Sequence, residues 1–159
     1  MIADADHILH IMKTLAEAEL AVAMLYKECS LVWKGDQAFR LQLVSEEEKH
    51  AQNIEKMAQI LSRKPERFDS GRLLNIVAIH TFIEGIKANI ARLKGEGMSK
   101  LNMLFIARDI ERALIETKYA EIIKSGDVEF NDLASEIVSD TERHTTLLDK
   151  KIAALQAGK

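Results

Sequence analysis

Apolar residues recur along this chain at intervals of three and four, the period of a helix with one buried face. The pattern falls into five stretches divided by short punctuators. The first runs from about Ala5 to Trp33 and stops at Lys34-Gly35. The second follows Asp36, a candidate N-cap, and continues to about Ser62. Arg63 to Gly71 reads as a loop. A third stretch, Leu73 to Leu93, ends at Gly95-Glu96-Gly97. The fourth follows Ser99 and reaches about Lys124, where Ser125-Gly126-Asp127 stops it. The fifth covers roughly Asn131 to Leu155.

Stretches one, two, four and five each hold some 25 residues, or roughly 38 Å of helix. Very short turns join one to two and four to five by way of the breaks at Gly35 and Gly126. This predicts two helix hairpins packed as a four-helix bundle. About 36 residues connect the hairpins, enough to carry the chain from one end of a bundle to the other, with the shorter third helix inside this crossover. That third helix is the element whose place the pattern fixes least.

Composition agrees with an all-α reading. One proline and seven glycines in 159 residues leave few helix breakers. A 47% hydrophobic and 30% charged balance suits a single domain, residues 1–159, with a sizeable core. The net charge is -3 with both signs interspersed, so no basic face for nucleic acid is expected. No apolar run approaches the roughly 20 residues of a membrane span, and the N-terminus lacks a signal-peptide pattern, so a cytoplasmic location is expected. Cys29 is the only cysteine, which excludes an intrachain disulfide or a rubredoxin-type iron site.

The chemistry lies in polar residues on the apolar stripes. Glu19 is surrounded at helical spacing by Met12, Leu15, Ala16, Val22, Ala23 and Tyr26. In VSEEEKHA, Glu47 and His50 share a stripe with Leu43, Ile54, Met57 and Leu61, while Glu46 and Glu48 fall off it and are expected in water. Glu111 lies among Leu104, Ala107, Leu114 and Ile115. His144 shares its stripe with Ile137, Asp140, Thr141 and Leu148. Four helices thus each turn a metal-ligand type inward near mid-length. Lone buried carboxylates are costly, so these groups should be neutralised, paired or bound to metal. A Glu and a His three residues on present an oxygen and an imidazole nitrogen to one point.

This set resembles the rubrerythrin-like branch of the ferritin-like di-iron carboxylate family, in which two helices give one Glu each and two give Glu-x-x-His. The matching residues are Glu19 in EAELAVAMLY, Glu47 and His50 in EEKH, Glu111 in IARDIERALIETKY and His144 in SDTERH. The resemblance implies a ferritin-like bundle holding two iron ions, with manganese or zinc as alternatives, on Glu19, Glu47, His50, Glu111 and His144. It implies peroxide or oxygen reduction coupled to iron oxidation, a homodimer, and an external electron donor in place of the missing rubredoxin module. The chain departs from the pattern at Thr141, where the second Glu is expected; Asp140 is a candidate sixth ligand, and Glu116 a further one. Tyr26 and Tyr119 are candidate hydrogen-bond partners of the metal carboxylates.

Two other readings compete. His80 with Glu84, and His144 with Asp149, match fragments of a hemerythrin-like site, but the fourth helix has no histidine to complete it. His80 and Glu84 are expected instead to form a polar pair on the crossover helix. The non-enzymatic alternative is a helical interaction or structural protein whose polar stripe sets helix register and whose metal site is degenerate.

Overall fold

The computed structural model describes residues 5–71, 75–117 and 123–158. The chain is mostly helix. Among the described residues α1 spans Ala5–Val32, α2 Gln37–Arg63, α3 Ile76–Lys94, α4 Lys100–Thr117 and α5 Val128–Ala157. Two three-residue strands, β1 (Phe68–Ser70) and β2 (Ile123–Ser125), and two single 3-10 turns, Lys34–Asp36 and Pro65–Arg67, complete the regular structure among the described residues. Among the described residues no helix is long and apolar enough to cross a membrane.

α1 packs along α2 and also carries α3; α5 packs against both α4 and α2. The third helix, left open by the sequence pattern, is therefore laid against α1, with Ile79, Ile83, Ile86, Ile90 and Leu93 as its buried stripe. Between the helices lies one continuous core, in which Ile11, Leu25, Leu43, Ile54, Met57, Leu61, Ile137 and Leu148 are fully enclosed. Spacings of three, four and seven within each helix place these side chains on one face, so their burial supplies the main stabilising term.

The helix ends follow local chemistry. Asn75 caps α3 by accepting from the Val77 N–H at 2.9 Å, and Asp127 caps α5 by accepting from the Phe130 N–H at 2.9 Å. Gly97 takes a positive φ of 76° in the α3–α4 turn, a conformation that costs a residue with a Cβ. Asp36 precedes α2 but makes no side-chain cap. Its carboxylate is taken by Lys100 at 2.8 Å, Lys151 at 3.4 Å and Arg40 at 3.7 Å, tying the start of α2 to α4 and α5.

Two expectations are corrected. The helix predicted to reach Lys124 does not do so: Ile123–Ser125 is a strand. The segment 63–71 is not plain loop either, for its Phe68–Ser70 pairs antiparallel with that strand, Phe68 opposite Ser125 and Ser70 opposite Ile123. Phe68 and Ile123 are buried there, and Phe68 meets Phe130 of α5 edge-on, centroids 4.8 Å apart. On α3, Glu84 pairs with Lys87 at 3.4 Å.

Candidate metal centre

Four helices deliver the inward polar residues to one place. Glu19 comes from α1, Glu47 and His50 from α2, Glu111 from α4 and His144 from α5, and all five are 0% exposed. His50 Nδ1 lies 3.4 Å from Glu47 Oε2 and 3.9 Å from Glu19 Oε2. His144 Nδ1 lies 3.0 Å from Glu47 Oε1 and 3.4 Å from Glu111 Oε1. Two triads result, Glu19–Glu47–His50 and Glu47–Glu111–His144, each with one donor atom per residue inside a 4.8 Å span. Glu47 belongs to both, one oxygen toward each imidazole. The two rings stack at 5.8 Å between centroids.

These approaches are close but poorly angled. Both Glu47 oxygens, Glu111 Oε2 and the Nδ1 atoms of His50 and His144 have no hydrogen-bond partner among the described residues. Buried polar atoms are nearly always satisfied, so five converging orphans ask for something between them. Three carboxylates and two imidazoles form a hard oxygen–nitrogen donor set suited to iron, manganese or zinc. The residues fit such an ion pair.

The outer side of each histidine is closed by an acid. His50 Nε2 meets Asp140 Oδ2 at 3.0 Å, and His144 Nε2 meets Glu46 Oε2 at 2.8 Å. The two acids come from different helices, and each stands four residues before the histidine of its own helix while bonding the histidine of the other: Glu46 precedes His50 but meets His144, and Asp140 precedes His144 but meets His50. Asp140, a candidate ligand by its stripe position, thus lies at the back of His50 and outside both inward triads. Glu46 is corrected: it is 18% exposed on its side chain and bonded to His144 and Arg143, not solvated. Its long side chain reaches across to α5 although its Cα lies off the apolar stripe. Arg143, unnoticed in the sequence, bonds Glu46 Oε1 and stands 3.6 Å from Asp140 Oδ1. The repeated acid-x-x-x-His spacing in EEEKH and DTERH is a signal that pairs Glu46 with Asp140, though it does not point to Arg143.

Thr141 holds the place of the absent glutamate. It is buried, and its hydroxyl donates to the Ile137 carbonyl at 2.7 Å, so it is spent on its own helix. Tyr26 donates to Glu111 Oε1 at 2.5 Å, as expected for a residue orienting that carboxylate. Tyr119 and the side chain of Glu116 lie outside the described residues.

The charges bear the mark of this crowding. Burial, then the negative charges of Glu111 and Glu19, push the Glu47 carboxyl well above its usual range. Burial alone would lower the histidines, but the neighbouring carboxylates win: Glu19 and Glu47 raise His50 to about 11, and Glu111 and Glu47 raise His144 to about 10. Burial would likewise raise Asp140 and Glu46; hydrogen bonds from His50 to the first, and from His144 and Arg143 to the second, instead hold both below the usual carboxylate range. Burial and then Glu111 raise the Tyr26 phenol, which keeps it a donor.

Searches of protein-family models, of curated proteins and of solved structures each found no match for this chain.

Proposed function

We propose that this chain is a ferritin-like four-helix bundle of the rubrerythrin-like kind, holding two metal ions between Glu19, Glu47, His50, Glu111 and His144. The observation that carries the reading is the pair of buried triads sharing Glu47, with both imidazole Nδ1 atoms turned inward. Iron is the proposed metal, with manganese and zinc as alternatives. Bound there, iron would supply the electrons for reducing peroxide or oxygen as it is oxidised.

The protein's share of that chemistry is positional. Glu47 offers one oxygen to each half of the centre; Glu19 and Glu111 each complete one half, and His50 and His144 close the ends. Asp140 and Glu46 hold the outer Nε2 atoms, which keeps each Nδ1 available as a ligand and makes the ring a better donor. Tyr26 fixes Glu111. Leu15, Leu43, Ile54 and Leu148, each one turn along its helix from Glu19, Glu47, His50 or His144, are buried, and the five polar residues are themselves closed to bulk water. Electrons are proposed to arrive from a donor outside these 159 residues, and the working form is proposed to be a cytoplasmic homodimer.

A second reading is favoured by one feature: each histidine already stands between acids on both sides, so the cluster can balance its own charge as a metal-free polar core. Anaerobic loading with ferrous iron separates the two. Two irons per chain, with near-ultraviolet oxo-bridge absorption after oxygen or peroxide, support the centre. Absence of stoichiometric binding by iron, manganese and zinc sinks it.

A further inference from the structure

Behind the two triads runs an unbroken polar chain: His50 Nε2 to Asp140 Oδ2, Asp140 Oδ1 to Arg143, Arg143 to Glu46 Oε1, and Glu46 Oε2 to His144 Nε2. Each acid spends one oxygen on a histidine and the other on the same guanidinium. One nitrogen of that guanidinium, Nη2, faces both acids. The arginine is half exposed, while the histidines it reaches through the acids are wholly buried.

We propose that Arg143 is a positioning residue that ties the orientations of His50 and His144 to each other, so that the two halves of the centre are set together. The proposal rests on the di-metal reading for its consequence, though not for its geometry. An imidazole turns about its Cβ–Cγ bond unless its far nitrogen is held, and the ring that turns takes its Nδ1 off the metal position. Asp140 and Glu46 hold the far nitrogens. Beyond its histidine, each acid is held at its other oxygen by Arg143. Removing the guanidinium therefore frees two carboxylates on two helices, one behind each histidine. Loss of Asp140 alone frees only the His50 side, and loss of Glu46 alone only the His144 side.

Arg143→Met keeps most of the side-chain bulk and removes the charge; Arg143→Lys keeps a charge that can still face both acids. Cobalt(II), titrated into the metal-free protein and followed by its visible absorption, reads metal binding at both positions. Ring-nitrogen NMR shifts of the histidines in the metal-free protein read the hydrogen bonds that hold their Nε2 atoms, without metal. The expected result is that Arg143→Met weakens both cobalt equivalents about 10- to 100-fold, in line with loss of groups that orient metal-bound histidines. It should also move the signals of both His50 and His144, with Arg143→Lys restoring most of each effect. The proposal is overturned if Arg143→Met leaves both readouts as in the wild type, or alters only one histidine. If the unmodified protein takes up no cobalt, the di-metal reading fails by itself, and the NMR arm still decides whether Arg143 couples the pair.

Discussion

Glu47 Oε1 lies 3.0 Å from His144 Nδ1 on the far helix, while the other oxygen of the same carboxylate lies 3.4 Å from His50 on its own. One side chain therefore serves both halves of the buried cluster. Glu47→Ala is expected to abolish binding of both metal equivalents in a titration. Glu48→Ala, an exposed change one residue away, should leave the titration unchanged. Loss of only one equivalent in Glu47→Ala would show that the carboxylate is not shared.

Thr141 gives a test with opposite signs. Thr141→Glu adds a fourth carboxylate to a buried site that already strains to hold three. In the metal-free protein it should lower the midpoint of denaturation, because another charge or carboxylic acid is desolvated. With metal it should raise affinity, since it supplies the ligand that Thr141, bonded to Ile137, withholds. Measuring Tm with and without zinc checks both signs on one variant.

Metal uptake should be pH-dependent in a defined sense. At pH 7 the metal-free histidines, raised to about 11 and about 10, are protonated, and a metal must displace those protons. Loading in weak buffer should release about two protons per chain from the imidazoles, and affinity should fall as pH falls. For the metal-free fold, a raised folded value gives stability that is complete below the unfolded histidine value of about 6.5. That stability is lost as pH rises through about 10 to 11. Denaturation midpoints measured from pH 7 to 11 should decline, and metal should remove most of the decline.

Tyr26→Phe deletes a hydroxyl whose one described bond is to Glu111. A buried hydrogen bond to a charged acceptor contributes about 1.5–3 kcal/mol, so metal-free stability should fall by that order in urea denaturation. Glu111 keeps His144 at 3.4 Å, so the fold should survive.

At the start of α5, Asp127 accepts from the Phe130 N–H and faces Arg67 at 3.2 Å and Lys64 at 3.7 Å. The backbone N–H first, and then those cations, hold its carboxyl below the usual range. Its contribution is therefore present above the unfolded value of about 3.9 and is lost as pH falls through the lower folded value. Asp127→Ala should lower Tm at neutral pH. Asp127→Asn keeps a cap-forming side chain and should retain most of the Tm, while its acid limb loses the Asp127 component.

How much of this could be read beforehand depended on what each feature rests on. Periodicity located Glu19, Glu47, His50, Glu111 and His144 because a buried residue on a regular helix is defined by its own neighbours along the chain. Glu46 and Arg143 escaped because reach across to another helix depends on side-chain length and interhelical spacing, which no single stripe records. The Phe68–Ser70 and Ile123–Ser125 pairing escaped for a different reason. Three residues are too few to show alternation, and the partners are far apart in sequence.

That small ribbon has a metrical role. It joins the chain just past the end of α2 to the chain just before α5, the two helices that carry the histidines. His50 lies 13 residues, about 20 Å, back from the end of α2, and His144 lies 16 residues, about 24 Å, beyond the start of α5. A slip of one residue in this pairing would move one strand about 3.4 Å past the other and turn its side chains to the opposite face, displacing the start of α5 relative to the end of α2. The strand pair therefore works as a ruler, fixing from roughly 20 Å away which turn of one helix faces which turn of the other.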